Sequence, residues 1–154
     1  MAVKAKMDAI VNIVYTDDED IAMIKEANIP IIPTVTHRST RDIEELSASG
    51  EPEFITDKRI RLQETCFENF KRIHQAGVKM ATGIVHGLDW CAFEMEIKVS
   101  LGMTPMEAIQ TATKNAAETV KLDKITGTLD VGKYADVIAV NGDPSADVRV
   151  LRDR

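Results

Sequence analysis

Ala9-Ile10-Val11-Asn12-Ile13-Val14-Tyr15 is a β-branched, nearly continuous apolar run of strand length. A strand with one wet face alternates polar and apolar residues, whereas an uninterrupted run suits a parallel strand covered on both faces. The following segment fits that reading. Asp17-Asp18-Glu19-Asp20 stands ahead of Ile21, Met23, Ile24 and Ala27. Acids crowded before an amphipathic stretch mark a helix start, because they offset the positive end of the helix dipole. Ile29-Pro30-Ile31-Ile32-Pro33-Thr34-Val35 is then a second strand, which its prolines make bounded or partly edge-like. Strand, helix and strand in this order predict a right-handed parallel βαβ unit.

The pattern continues along the chain. Residues 37–57 are polar, rich in Ser, Gly and charge, and read as a long connection of the kind that forms lids or binding loops. Residues 58–76 read as a helix, with Ile60, Phe67, Phe70 and Ile73 at helical spacing and Gly77 placed as a C-terminal cap. Residues 78–85 form a third strand candidate, and residues 91–101 a further helix. Thr104-Pro105-Met106-Glu107 is a capping box with proline at the first helical position. Ala108, Ala112, Ala116 and Val120 follow as a narrow small-residue stripe suited to close packing on a sheet. Residues 127–133 and 135–140 read as a turn-rich strand pair, closed by the Asn141-Gly142-Asp143-Pro144 turn.

The 154 residues are 44% hydrophobic and 29% charged, a globular composition of one-domain length. A net charge of −6 repels phosphate backbones, so nucleic acid is not an expected partner. Cys66 and Cys91 lack metal-type spacing and are most simply reduced thiols. The first residues hold no apolar core of signal-peptide length, and no run reaches the roughly 18 apolar residues of a membrane span. The expectation is a cytoplasmic protein without a membrane partner. Only three parallel strands precede the tail, against the about 250 residues of a complete eight-stranded barrel. Open strand edges are sticky. The chain is therefore a fragment, is completed by another chain, or closes in some rearranged way.

At the tail, Gly127-x-Leu129-x-x-Gly132-Lys133-x-Ala135-Asp136, followed by Gly142-Asp143-Pro144, resembles the end of amidohydrolase-superfamily enzymes. The nearest group is similar to imidazolonepropionase and the Xaa-Pro-dipeptidase-like hydrolases. Gly102-Met103-Thr104-Pro105-Met106-Glu107-Ala108-Ile109, Ala112-Thr113 and Asn115-Ala116-Ala117 match that group's last barrel helix. Asp17-Asp18-Glu19-Asp20-Ile21 and Ile31-Ile32-Pro33-Thr34 match its sixth helix and seventh strand. The resemblance covers nearly the whole chain in order. It implies an α/β fold: part of a (β/α)8 barrel, about strands six to eight with their helices, over residues 1–123. Residues 124–154 would supply C-terminal strands of an accessory β-sandwich.

The resemblance also implies metal-dependent hydrolysis of amide or peptide-like carbon–nitrogen bonds of a small-molecule substrate. In that family a divalent metal such as zinc polarises the carbonyl and makes hydroxide available near neutral pH. Early strands, which have no counterpart in this sequence, give a His-x-His pair. Later strands give histidines, and the last strand an aspartate. The sixth-strand pattern Glu-His-Gly falls on Val11-Asn12-Ile13, so Asn12 holds the histidine position. The eighth-strand pattern Gly-Thr-Asp-x-Gly falls on Gly83-Ile84-Val85-His86-Gly87, so Val85 holds the aspartate position. The expectation is an inactive half-barrel with no metal at the family site. It would act as a homo-oligomer or with a chain supplying the missing half. A rival reading is a non-catalytic structural or assembly protein built from the same barrel.

His37, His86 and Asp89 follow the second and third strands and are the substitute metal ligands to consider; hydrogen-bonded or solvated loop residues are the plainer reading. Arg38 and Arg41 flank His37 and suit a carboxylate, and Trp90 suits either a pocket wall or packing. His74 in a last helical turn reads as structural. Lys133 lacks the glycine spacing of a phosphate loop.

Overall fold

The computed structural model describes residues 2–152 with the exception of His86, Leu88 and Asp89. The candidate ligands His86 and Asp89 thus lie outside the described residues. Strand β1 (Ile10–Val11) pairs in parallel with β2 (Ile31–Ile32), Ile10 opposite Ile31 and Val11 opposite Ile32. Ile31 also forms a parallel bridge with Met80. Its N–H donates to Lys79 O and its carbonyl accepts from Ala81 N–H, each at 2.9 Å. Three chain segments therefore lie side by side in sequence order with β2 in the middle, the arrangement the apolar runs predict.

The ladders are shorter than those runs. β1 stops because Asn12 takes a left-handed backbone (φ 69°), and β2 stops because Thr34 does the same (φ 52°). The third segment, read from the sequence as residues 78–85, contributes only the bridge at Met80. Beyond it Thr82 N–H donates to Thr111 O at 2.7 Å, so a helix, not β2, holds the backbone there. At Gly83 an added Cβ would collide with Ile32 Cγ2. Only a residue without a side chain lets these two segments approach so closely.

Helix α1 (Asp18–Glu26) starts where the acidic run predicts, with Asp17 accepting from Asp20 N–H at 2.8 Å. The stretch 37–57 is not a loop. A 3₁₀ turn, Val35–Arg38, leads into α2 (Thr40–Ala48), whose N-cap Ser39 Oγ accepts from Asp42 N–H at 3.1 Å. Asp42 is buried and Ile43 and Leu46 beside it are half-buried, so the apolar stripe that announces this helix is only two residues long. Helix α3 runs Glu53–Gln75 and ends at Gly77 (φ 73°). Helix α4 spans Trp90–Ser100.

Helix α5 (Pro105–Ala112) carries the predicted capping box: Thr104 Oγ1 accepts from Glu107 N–H at 3.3 Å, and Glu107 Oε2 accepts from Thr104 N–H at 2.7 Å. The expected alanine stripe does not stay on one helix. The chain breaks at Thr113 (φ −120°, ψ −96°) and restarts as α6 (Lys114–Thr119). Ala108 and Ala117 are buried, whereas Val120 is exposed.

The core joins the sheet to α1 and α3 through Ile13, Ile24, Ile31, Phe70, Ile73 and Met80. A second cluster joins α4 and α5 to Val148 in a 3₁₀ turn, Val148–Leu151. The tail departs from expectation: residues 127–141 form no strand, although the sequence reads as a sandwich strand pair. Tyr134 N–H donates to Ile125 O at 2.9 Å, but no ladder forms along the segment among the described residues. Leu129, Val131, Val137 and Ile138 are exposed, so neither face of the tail is packed as a strand face would be. Among the described residues no helix is long and apolar enough to cross a membrane.

Candidate functional site

Parallel strands bring their C-terminal ends to one edge, and barrel active sites form there. Here that edge carries Asn12 after β1, Thr34 to Arg38 after β2, and residues 82–85 after the Met80 bridge. Non-glycine residues in left-handed geometry cost free energy and gather where a site over-determines the backbone; Asn12 and Thr34 both belong to that class.

Two polar networks hold the edge. The first centres on α4. Glu94 and Lys98 have no exposed side-chain surface. Glu94 Oε1 accepts from Val35 N–H at 3.1 Å and Oε2 from Thr36 N–H at 2.8 Å. Lys98 Nζ donates to Thr82 Oγ1 at 2.9 Å and Thr111 Oγ1 at 3.1 Å, and lies 3.7 Å from Glu94. One helix thus ties the turn after β2 to the segment after Met80. Burial pulls the Lys98 ammonium down to about 8, and the Glu94 carboxylate resists that shift. The second network belongs to α3. Asn69 Nδ2 donates to the carbonyls of Ile13 (3.1 Å) and Val14 (2.9 Å), and Arg72 donates to Asn69 Oδ1 and Thr16 O. Arg59 donates to His37 Nδ1 at 3.0 Å, to His37 O, and to buried Asp42. Of these side chains His37 was singled out from the sequence, whereas Asp42, Arg59, Asn69, Arg72, Glu94 and Lys98 were not. Glu94 and Lys98 did leave a signal: charges four residues apart inside Trp90-Cys91-Ala92-Phe93-Glu94-Met95-Glu96-Ile97-Lys98, an otherwise apolar helix.

The residues that the sequence does propose are arranged differently. His37 sits on the 3₁₀ turn at the edge. Arginine can only donate, so its bond to Nδ1 requires an unprotonated Nδ1 and places the ring proton on Nε2. A metal at Nδ1 would have to displace Arg59. Arg38 lines a cavity beside Asn12, Ile13 and Leu62. Trp90 is buried against the edge of Phe93 (5.6 Å between centroids), with the Arg41 guanidinium 4.3 Å from its ring. His74, in the last turn of α3, faces Glu107 at 3.6 Å. Val85 is exposed after the Met80 bridge. Among the described residues, no group of three His, Cys, Asp or Glu side chains is placed to hold a metal ion.

Parallel strands with crossover helices and a site edge at the strand C-termini are the arrangement of part of an α/β barrel. Residues 3–154 match the Amidohydrolase family, and the chain belongs to it. It is 32% identical to ochratoxinase from Aspergillus niger over 159 residues, which takes in 99% of this chain and 32% of the relative. The crystal structure of A. niger ochratoxinase superposes with a TM-score of 0.82 at 31% identity, over 99% of this chain and 35% of that one. A Xaa-Pro dipeptidase with methionine bound in its active site superposes with a TM-score of 0.85 at 30% identity, over 98% of this chain and 38% of that one. The chain spans about a third of the length of the ochratoxinase relatives it matches.

Proposed function

We propose that this chain carries the late-strand part of an amidohydrolase site whose metal ligands have been replaced, and that alone it does not hydrolyse carbon–nitrogen bonds. The bond class of its descent is amide or peptide-like, the class named in the Xaa-Pro dipeptidase among its relatives. One observation carries the reading: Asn12 and Val85 occupy the strand-end positions that the family resemblance gives to a ligating histidine and to the aspartate. Valine offers neither a donor atom nor a titratable proton, and zinc takes imidazole, thiolate or carboxylate in preference to a neutral amide. This donor set does not fit a zinc or nickel ion, so no catalytic step is assigned through one. Without a carboxylate at the last strand end, the proton transfer that such chemistry needs has no carrier there.

The test is an assay of the chain against dipeptides, N-acyl amino acids and cyclic amides with added zinc, nickel and manganese, beside a Val85→Asp, Asn12→His double variant. The unmodified chain is expected to show no turnover. Turnover abolished by a chelator would overturn the reading and direct attention to His37, His86 and Asp89. Silence from both proteins would place the limit in the early-strand ligands that this sequence does not contain.

A further inference from the structure

We propose that residues 135–140 of the tail pair as an antiparallel strand with the same run of a second copy of this chain, across a two-fold axis at Ile138. From residue 135 to 142, no backbone N–H or carbonyl is bonded within the protein among the described residues. Tyr134 N–H, which donates to Ile125 O, bounds this free stretch on one side. Pro144, which has no N–H, bounds it on the other. A row of unpaired backbone groups on β-branched residues is a template for a further strand.

The side chains of the run are as open as its backbone. Val137 and Ile138 are 67% and 77% exposed. Together with Val120, Leu122, Leu129 and Tyr134, all exposed, they line one groove of about 600 Å³ beside α6. Contiguous apolar surface of this kind marks an interaction site. A stable dimer takes about 800 Å² from each partner, less than a tenth of the 9402 Å² surface. A two-stranded ribbon alone is marginal in water and needs a layer to pack on. Ala112 and Ala116 supply it: they line the same groove, and their small side chains leave room beside the helices for those of a strand.

Charge selects a second copy and its direction. The chain carries a net charge of −6, so two copies repel, yet residues 134–142 hold one charge, Asp136, which accepts from Thr126 Oγ1 at 2.8 Å. Opposite charges flank the run, Lys133 before it and Asp143 after it. Parallel pairing in register would set Asp136 against Asp136 and Lys133 against Lys133, and like charges directly opposite are destabilising. Antiparallel pairing centred on Ile138 sets each Lys133 against the other copy's Asp143 and each Asp136 against Val140. Lys133 already faces its own Asp130 at 3.2 Å and Asp143 already accepts from Ser145, so the new pairs give direction more than strength. The inference leaves the strand-end edge untouched: hydrolysis by this chain would overturn the proposed function and not this interface.

The experiment is sedimentation equilibrium of the full 154-residue chain over a concentration series, joined to cysteine cross-linking. The parent is expected to reach twice 17.0 kDa. Ile138→Lys should weaken association more than about tenfold, because the axis sets one lysine against the other. Val11→Lys, at the exposed outer edge of β1, should leave it unchanged. Each variant is checked for the parent fold by circular dichroism. Should Ile138→Lys not fold, cross-linking decides the matter. Under mild oxidant Ile138→Cys should form a disulfide-linked dimer, since its two copies face each other across the axis. Asp136→Cys should not, since its two copies lie about 14 Å apart along the ribbon, beyond the reach of a disulfide. The parent, with Cys66 and Cys91 alone, is the blank. A parent that stays at 17.0 kDa, a dimer kept in folded Ile138→Lys, a dimer lost in Val11→Lys, or cross-linking of Asp136→Cys as readily as of Ile138→Cys would each overturn the proposal.

Discussion

Lys98 is an ammonium sealed inside an α/β core, and its chemistry depends on which neighbours accept its protons. Thr82 and Thr111 accept two of them, while Glu94 spends both carboxylate oxygens on backbone N–H groups of the turn after β2. The folded ammonium titrates near 8 against 10.5 in its ordinary state, so between those values the unfolded chain holds more protons than the folded one. Stability contributed by Lys98 therefore rises with pH across that window. Cys66 works in the opposite direction: burial pushes its thiol from 9.0 up to about 11, so its contribution falls above pH 9. The clean comparison is the melting temperature of the parent chain and of Lys98→Met from pH 7 to 9. The parent is expected to gain on its own neutral-pH value as pH rises through 8, and the variant to lack that gain. Parallel curves would place the lysine in contact with water.

At the scale of elements, α5 offers the sharpest test. Thr104→Ala removes one acceptor of a reciprocal cap and should cost about 1 kcal/mol in a denaturant melt; an unchanged midpoint would detach the helix start from the capping box. The box also holds the Glu107 carboxyl below its usual range, first through the Thr104 backbone N–H, so Thr104→Ala keeps part of that effect. Caps of this kind were legible because they are local: Asp17 and Thr104 state their helix starts within four residues. The strands were legible only as apolar runs. Their ends depend on Asn12 and Thr34 turning left-handed, which no periodicity announces. The α2 helix was hidden because its apolar stripe is only Ile43 and Leu46 amid polar residues, and the strand-like tail forms no ladder because pairing needs a neighbour and the sequence pattern supplies only half of that condition. The site was legible by type and not by partner. His37 and Arg38 were found at the strand-end edge, but Arg59, Asn69, Glu94 and Lys98, which position that edge, approach from distant helices.

For the whole molecule, β1 presents an outer edge without a ladder partner among the described residues, and Val11 and Tyr15 stand exposed beside it. The tail adds Leu129, Val131, Tyr134, Val137 and Ile138 to the exposed apolar surface. Open edges and apolar faces associate, most simply through a two-fold axis. We expect light scattering to give a mass above 17.0 kDa at high concentration; a clean monomer would contradict that expectation. The central claim, that the strand-end positions at Asn12 and Val85 no longer hold a metal, has a more direct test. It is elemental analysis of the purified chain after exposure to zinc and exhaustive dialysis. The account predicts zinc far below one ion per chain, and an unchanged value in His37→Ala. One zinc per chain, lost in His37→Ala, would contradict it.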